Sequence, residues 1–149
     1  MNDIDHIIRR KYEYAYGIDT RDWVLYRSIF TDEIRMDLSS YSGAPAATMS
    51  ADTWVSNCRR LFDNLDATQH VMTNPIVDLN GPNGNEARLR MYMKAEHFLH
   101  THTGNSDFAL GGYYDDRLVQ TPNGWRICAV TLTVFWNRGN RDIMRLAVS

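Results

Sequence analysis

Cysteine is scarce in this chain. Cys58 and Cys128 are the only two in 149 residues, and they lie far apart. They make no metal-type pair, and neither has a His or Asn at the interval of a cysteine catalytic centre. Both read as buried thiols, as expected in a reducing cytoplasm. Long apolar runs are missing too: none approaches the roughly 18 residues of a membrane span. The first residues, MNDIDHIIRRKYEY, are charged rather than built like a signal-peptide core. No basic block stands out either, since 16 Lys and Arg face 18 Asp and Glu for a net charge of −2. The expectation is a cytoplasmic protein with no membrane and no nucleic-acid partner. Phosphate-cradling glycine loops are likewise absent, because GPNG and LGG fall in or beside hairpins rather than at a strand-to-helix turn. No cofactor is therefore expected.

What remains is an ordinary globular composition, 44% hydrophobic and 23% charged, long enough for one domain over 1–149. The first third has helical periodicity. Ile4, Ile7, Ile8, Lys11, Tyr14, Ala15 and Ile18 share one stripe, with Asn2 or Asp3 available as a cap. Gly17 is expected to loosen this helix, and TRDWVLYRSIF reads as a second helix opened by Thr20. A short strand, IRMDLSS, precedes a third helix, SADTWVSNCRRLF, capped by Ser50. From residue 67 the period changes to two. TQHVMTNPIVDLN, EARLRMYMKAEHFLH, DFALGGYYDDRLVQ and WRICAVTLTVFW alternate as strands separated by the turn clusters NGPNGN and TPNG. Helices followed by a hairpin-connected meander predict an α+β fold, with the N-terminal helices packed on one face of a curved, mainly antiparallel sheet.

Strand parity sorts the histidines. In the EARLRMYMKAEHFLH strand, His97 shares its face with Leu89, Met91, Met93, Ala95 and Leu99, so it is expected inside. His70 shares a face with Met72 and Asn74, a mixed set that leaves its burial open. His100 and His102 could face one ion, but His97 points to the opposite side and no third ligand is apparent, so no metal is expected. Asp37 and Asn74 are weaker candidates to line a cavity, and Asp115 and Asp116 after GGYY are expected on a solvated strand face.

The segments YEYAYGIDTRDWVLYRSIF, TQH, AEHF and GGYYDDRLVQTPNGWRI together resemble the SnoaL-like branch of the nuclear transport factor 2-like superfamily. Scytalone dehydratase is the member the chain most resembles, with hexachlorocyclohexane dehydrochlorinase and bile-acid 7α-dehydratase as cousins. The resemblance spans about residues 3–138. It rests on Asp19, Asp22 and Trp23 and on the Thr-Gln-His run at 68–70; the Gly-Trp-x-Ile of the last hairpin speaks only for fold. It implies a cone-shaped α+β barrel, a strongly bent sheet wrapped around helices over a deep cavity. It also implies a homo-oligomer, a trimer before a dimer.

Position by position, the resemblance makes His70 the catalytic histidine, Asp19 the aspartate that orients it, and His97 a second active-site histidine. Tyr14 falls where the bile-acid enzyme has a functional tyrosine. The two tyrosines by which scytalone dehydratase polarises its substrate are replaced by Ile18 and Leu38, and the dehydrochlorinase arginine falls near Gln120 or Thr121. The implied activity is that of a dehydratase-like lyase or isomerase acting on a small cyclic substrate that bears a carbonyl or a phenol. Imidazole titrates near neutrality and suits proton abstraction, while a carboxylate on the far ring nitrogen fixes its tautomer. A polyketide-type cyclase, and a non-catalytic cone that binds a small ligand or serves as a structural subunit, are the alternatives.

Overall fold

Asn2 opens the first helix with a capping box. Its side chain accepts from the Asp5 backbone N–H at 2.9 Å, and the Asp5 carboxylate accepts from the Asn2 N–H. In the computed structural model, which describes residues 1–149, this helix, α1, runs over Asp3–Asp19. The Trp125 indole N–H donates to Asp3 at 3.1 Å, tying the start of α1 to the last hairpin.

Gly17 does not loosen α1. It stays helical because α2 (Trp23–Ser28) crosses there so closely that a Cβ at position 17 would meet Tyr26 Cβ at 2.8 Å. Thr20 does not open α2 either, but closes α1. Asp22 caps α2 by accepting from the Leu25 N–H at 3.0 Å.

The remaining elements are β1 (Phe30–Asp37), α3 (Ser39–Ser42), β2 (Ala47–Ser50), α4 (Ala51–Phe62), β3 (Ala67–Asn80), β4 (Glu86–Phe98), β5 (Asp107–Thr121), β6 (Gly124–Gly139) and α5 (Asp142–Leu146). Ser50 caps α4, as its position suggests. The strands form one open sheet in the order β2-β1-β6-β5-β4-β3. The β3–β6 meander is antiparallel, and only the β1–β6 pairing is parallel. A register break between Thr73 and Ile76, with Asn74 at φ +57°, marks a bulge in edge strand β3, a device that bends a strand. No helix is long and apolar enough to cross a membrane.

The core lies between α1 and the concave face of the sheet. Ile7, Tyr14 and Ile18 of α1 meet Leu89, Met91, Met93 and Ala95 of β4 and Leu110, Tyr114 and Leu118 of β5, all within one buried cluster. The β4 alternation therefore reads as expected, with His97 on the buried side.

Asp116 departs from expectation: it is fully buried, not solvated. It shares parity with Leu110, Tyr114 and Leu118, and Lys11 from the α1 stripe meets it at 2.8 Å, also with no exposure. Asp115, one residue back, points outward and pairs with Arg88. Of the two thiols, Cys58 is buried and Cys128 only partly so.

The Gly17 contact yields a direct test. Alanine there gains about 1 kcal/mol of helix propensity, but overpacking against Tyr26 costs ~1–3 kcal/mol. Gly17→Ala is expected to lower stability in urea denaturation, whereas an unpacked helical glycine would be stabilised by the same change.

Candidate active site

Asp19 is the last residue of α1, and β3 begins at Ala67, so the helix end is brought against the sheet edge. The Asp19 carboxylate takes three hydrogen bonds from β3. Thr68 Oγ1–H donates to Oδ1 at 2.9 Å, the His70 backbone N–H to Oδ2 at 2.7 Å, and His70 Nδ1 lies 2.7 Å from Oδ1. The Thr68 hydroxyl can donate only one proton, so its oxygen is free to accept from Arg21 at 2.9 Å. The same guanidinium nitrogen donates to the Ile18 carbonyl at the end of α1. Arg21 reaches both from φ +59°, a conformation that costs a non-glycine residue roughly 1–2 kcal/mol. A strained turn thus anchors the carboxylate's support.

The ring of His70 is oriented by this arrangement. With Nδ1 facing a carboxylate, the proton of neutral imidazole sits on Nδ1 and the lone pair on Nε2. The His70 side chain is 4% exposed and Asp19 is 19% exposed. His70 lines a cavity of about 300 Å³. On its other side the pair borders a surface groove lined by Asp19, Thr68, Tyr12, Tyr16 and Phe98.

The cavity is apolar: 15 of its 18 lining residues are hydrophobic, and the other three are Asn57, His70 and His97. His97 and His70 sit with ring centroids 5.8 Å apart, and Phe62 stacks on His97 at 6.1 Å. His97 Nδ1 lies 3.0 Å from the Phe108 carbonyl oxygen, so Nδ1 carries the proton and Nε2 the lone pair. Burial, reinforced by nearby His70, pushes the His97 imidazole down to about 4. Tyr14 lines the same cavity, and burial holds its phenol well above its ordinary range. The four expected site residues therefore share one neighbourhood, with Asp19 behind His70 rather than on the cavity wall.

The weaker candidates fall elsewhere. Asp37 accepts from the Ser39 hydroxyl and N–H, and Asn74 occupies the β3 bulge. His100 and His102, with rings 5.5 Å apart, lie in the exposed segment after β4, where strand parity no longer applies.

Several wall residues carried no recognisable signal in the sequence. Tyr41 comes from the one-turn α3, Asn57 from α4, and Met144 and Val148 from the C-terminal segment. Tyr114 could have been found from its parity with Asp116 and Leu118. Ile18 and Leu38 both line the cavity, so the tyrosines that scytalone dehydratase resemblance would place there are replaced by apolar wall. The Cys58 thiol is pushed up to about 12 by burial and stays protonated.

The sequence profile of the SnoaL-like domain matches residues 1–131. The chain belongs to the SnoaL-like family. Solved structures agree with this family's nuclear transport factor 2-like fold. The Kfla4162 protein of Kribbella flavida is 28% identical with a TM-score of 0.89, over 96% of this chain and 97% of that one. A candidate scytalone dehydratase from Novosphingobium aromaticivorans is 20% identical with a TM-score of 0.77, over 92% and 87%. The hexachlorocyclohexane dehydrochlorinase LinA-type3 of Novosphingobium barchaimii is 12% identical with a TM-score of 0.73, over 92% and 89%. At those identities the last two speak for the fold alone. No curated protein matches the chain.

In this SnoaL-like chain the depressed His97 imidazole makes stability depend on pH. Between about 4 and 6.5 the unfolded chain binds a proton that folded His97 refuses, so stability rises with pH through that window. Acidification from 6.5 to 4 is expected to cost roughly 1 kcal/mol per pH unit from this group. The urea midpoint of the wild type relative to His97→Phe, measured across pH 4–8, should fall toward acid and stay constant above 6.5. A gap independent of pH throughout would refute the assignment.

Proposed function

We propose that this protein is a dehydratase-like lyase or isomerase in which His70, oriented by Asp19, is the general base. The supporting observation is the 2.7 Å contact between His70 Nδ1 and Asp19 Oδ1, with the ring on the wall of an apolar cavity of about 300 Å³. A cavity of that size takes a small one- or two-ring molecule. Its apolar lining favours a flat cyclic substrate held by few polar contacts.

The chemistry follows from the charges each group must carry. His70 Nε2 takes a proton from a carbon next to a carbonyl, the C–H pair becomes a C=C bond, and the carbonyl pair moves onto oxygen. The Tyr14 hydroxyl, held protonated by burial, donates to that oxygen. Asp19 stabilises the imidazolium so formed. In dehydration, the enolate pair returns, the C–O bond one carbon further on breaks, and the departing oxygen takes the proton from His70 to leave as water. Returning the same proton to a different carbon gives isomerisation instead.

His97 has a different part in this reading. Its Nδ1 proton is committed to the Phe108 carbonyl and its imidazole is neutral near pH 7. It serves as an acceptor for a substrate hydroxyl at Nε2, not as the proton donor that a second active-site histidine could otherwise be.

Proton exchange tests the reading without knowledge of the natural substrate. A panel of cyclic ketones in D₂O, followed by proton NMR, should show enzyme-dependent loss of a signal next to the carbonyl. His70→Ala should reduce that exchange by about 10²–10⁴-fold, and Asp19→Asn should reduce it strongly with the protein still folded. Exchange at wild-type rate in His70→Ala would eliminate the proposed base.

A further inference from the structure

Two charges interrupt the apolar interior, and the chemistry above uses neither. Lys11 of α1 and Asp116 of β5 are both 0% exposed, with Nζ 2.8 Å from Oδ2. No other side chain satisfies either group. The ammonium instead rests against two ring faces, 3.8 Å from the Tyr14 centroid and 3.6 Å from that of Tyr114.

The arrangement follows from element geometry. Lys11 and Tyr14 are three apart on a helix, hence neighbours on one face, and Tyr114 and Asp116 are two apart on a strand, hence on one side. Where α1 crosses β5, these pairs close a square of two charges and two phenol rings. Only the tyrosines reach the cavity; Lys11 and Asp116 stand behind them. The two rings are 5.5 Å apart.

Fold stability does not account for a charge pair in this place. Replacing a buried ion pair by apolar residues of similar volume is often neutral or stabilising. An ammonium on a ring face, in contrast, draws on the ring's π density and strengthens the attached hydroxyl as a donor. Burial keeps both phenols protonated, so they remain donors.

We propose that Lys11, held in place by Asp116, is a positioning residue that polarises Tyr14 and Tyr114 into a paired donor site for the anionic oxygen of a phenolate or enolate. Tyr114 thereby joins the binding residues. The inference deepens the reading above by naming what faces the enolate oxygen, but its test is binding alone, so a failure of the proton-abstraction chemistry leaves it standing.

4-Nitrophenol is the probe, because its absorbance separates phenol from phenolate. Wild-type protein is expected to bind phenolate in preference to phenol, which moves ionisation of the bound probe to lower pH than in water. The double variant Lys11→Met with Asp116→Leu should fold with equal or greater thermal stability. It should bind phenolate about tenfold more weakly, with phenol binding unchanged. A structural pair would lower the melting temperature on replacement and leave that preference alone. If the double variant does not fold, Tyr14→Phe and Tyr114→Phe serve instead, each expected to weaken phenolate selectively. Equal binding of the two forms by the wild type, no binding of phenolate, or a preference that survives in the variants overturns the proposal.

Discussion

The junction between the end of α1 and the edge strand β3 rests on one carboxylate. Asp19 receives the Thr68 hydroxyl, the His70 backbone N–H and the His70 ring, so all three donors come from two residues of β3. A single acidic side chain therefore sets the register between helix and strand and the rotation of the imidazole together. Hydrogen bonds to a charged acceptor are the stronger kind, each worth about 1.5–3 kcal/mol. The strained Arg21 turn lies within the same network, and its two donations help to hold it.

The cavity behind this junction gains its character from what is excluded. Its walls come from α1, α3, α4, all four strands of the meander and the C-terminal segment, and few of these contribute a polar atom. In such surroundings electrostatic interactions are screened less than in water. The most deeply buried titratable groups consequently have defined protonation states. His97 is neutral because burial penalises its charge, and Tyr14 and Tyr114 stay protonated for the same reason. Burial lowers the Lys11 ammonium and raises the Asp116 carboxyl in the same way, and their pairing offsets that penalty in part. Charge is thus confined to two places: the Asp19 pairing at the cavity edge and the ion pair behind the tyrosines.

Much of this architecture was legible from spacing. The α1 stripe, the Ser50 cap, the four-strand meander and the inward face of β4 follow from periodicity, because each is a long element with one buried side. The ends of α2 were misread, since Thr20 and Asp22 are both plausible caps and only the tertiary position of Tyr26 decides between them. Asp116 reads as solvated from its charge, whereas its parity with Tyr114 and Leu118 turns it inward. Its partner Lys11 lies within the apolar stripe of α1, and that placement is the signal that both charges turn inward. Tyr41, Asn57, Met144 and Val148 could not be read at all. Tyr41, Met144 and Val148 sit on short segments with no period, Asn57 is a polar residue on an otherwise periodic helix, and only the folded chain brings them to one wall. His70 was undecidable by parity, because Asn74 on its nominal face belongs to a bulge where alternation fails.

The central claim is that Asp19 holds His70 as the Nδ1–H tautomer, with an unprotonated Nε2 turned to the cavity. Nitrogen-15 NMR of protein labelled in its histidine rings reads this directly, with His70→Gln identifying the signals. His70 is expected to show the shift of a protonated nitrogen at Nδ1 and that of a bare one at Nε2, an assignment disturbed in Asp19→Asn. A neutral His70 with its proton on Nε2, or one indifferent to loss of the Asp19 charge, would contradict it.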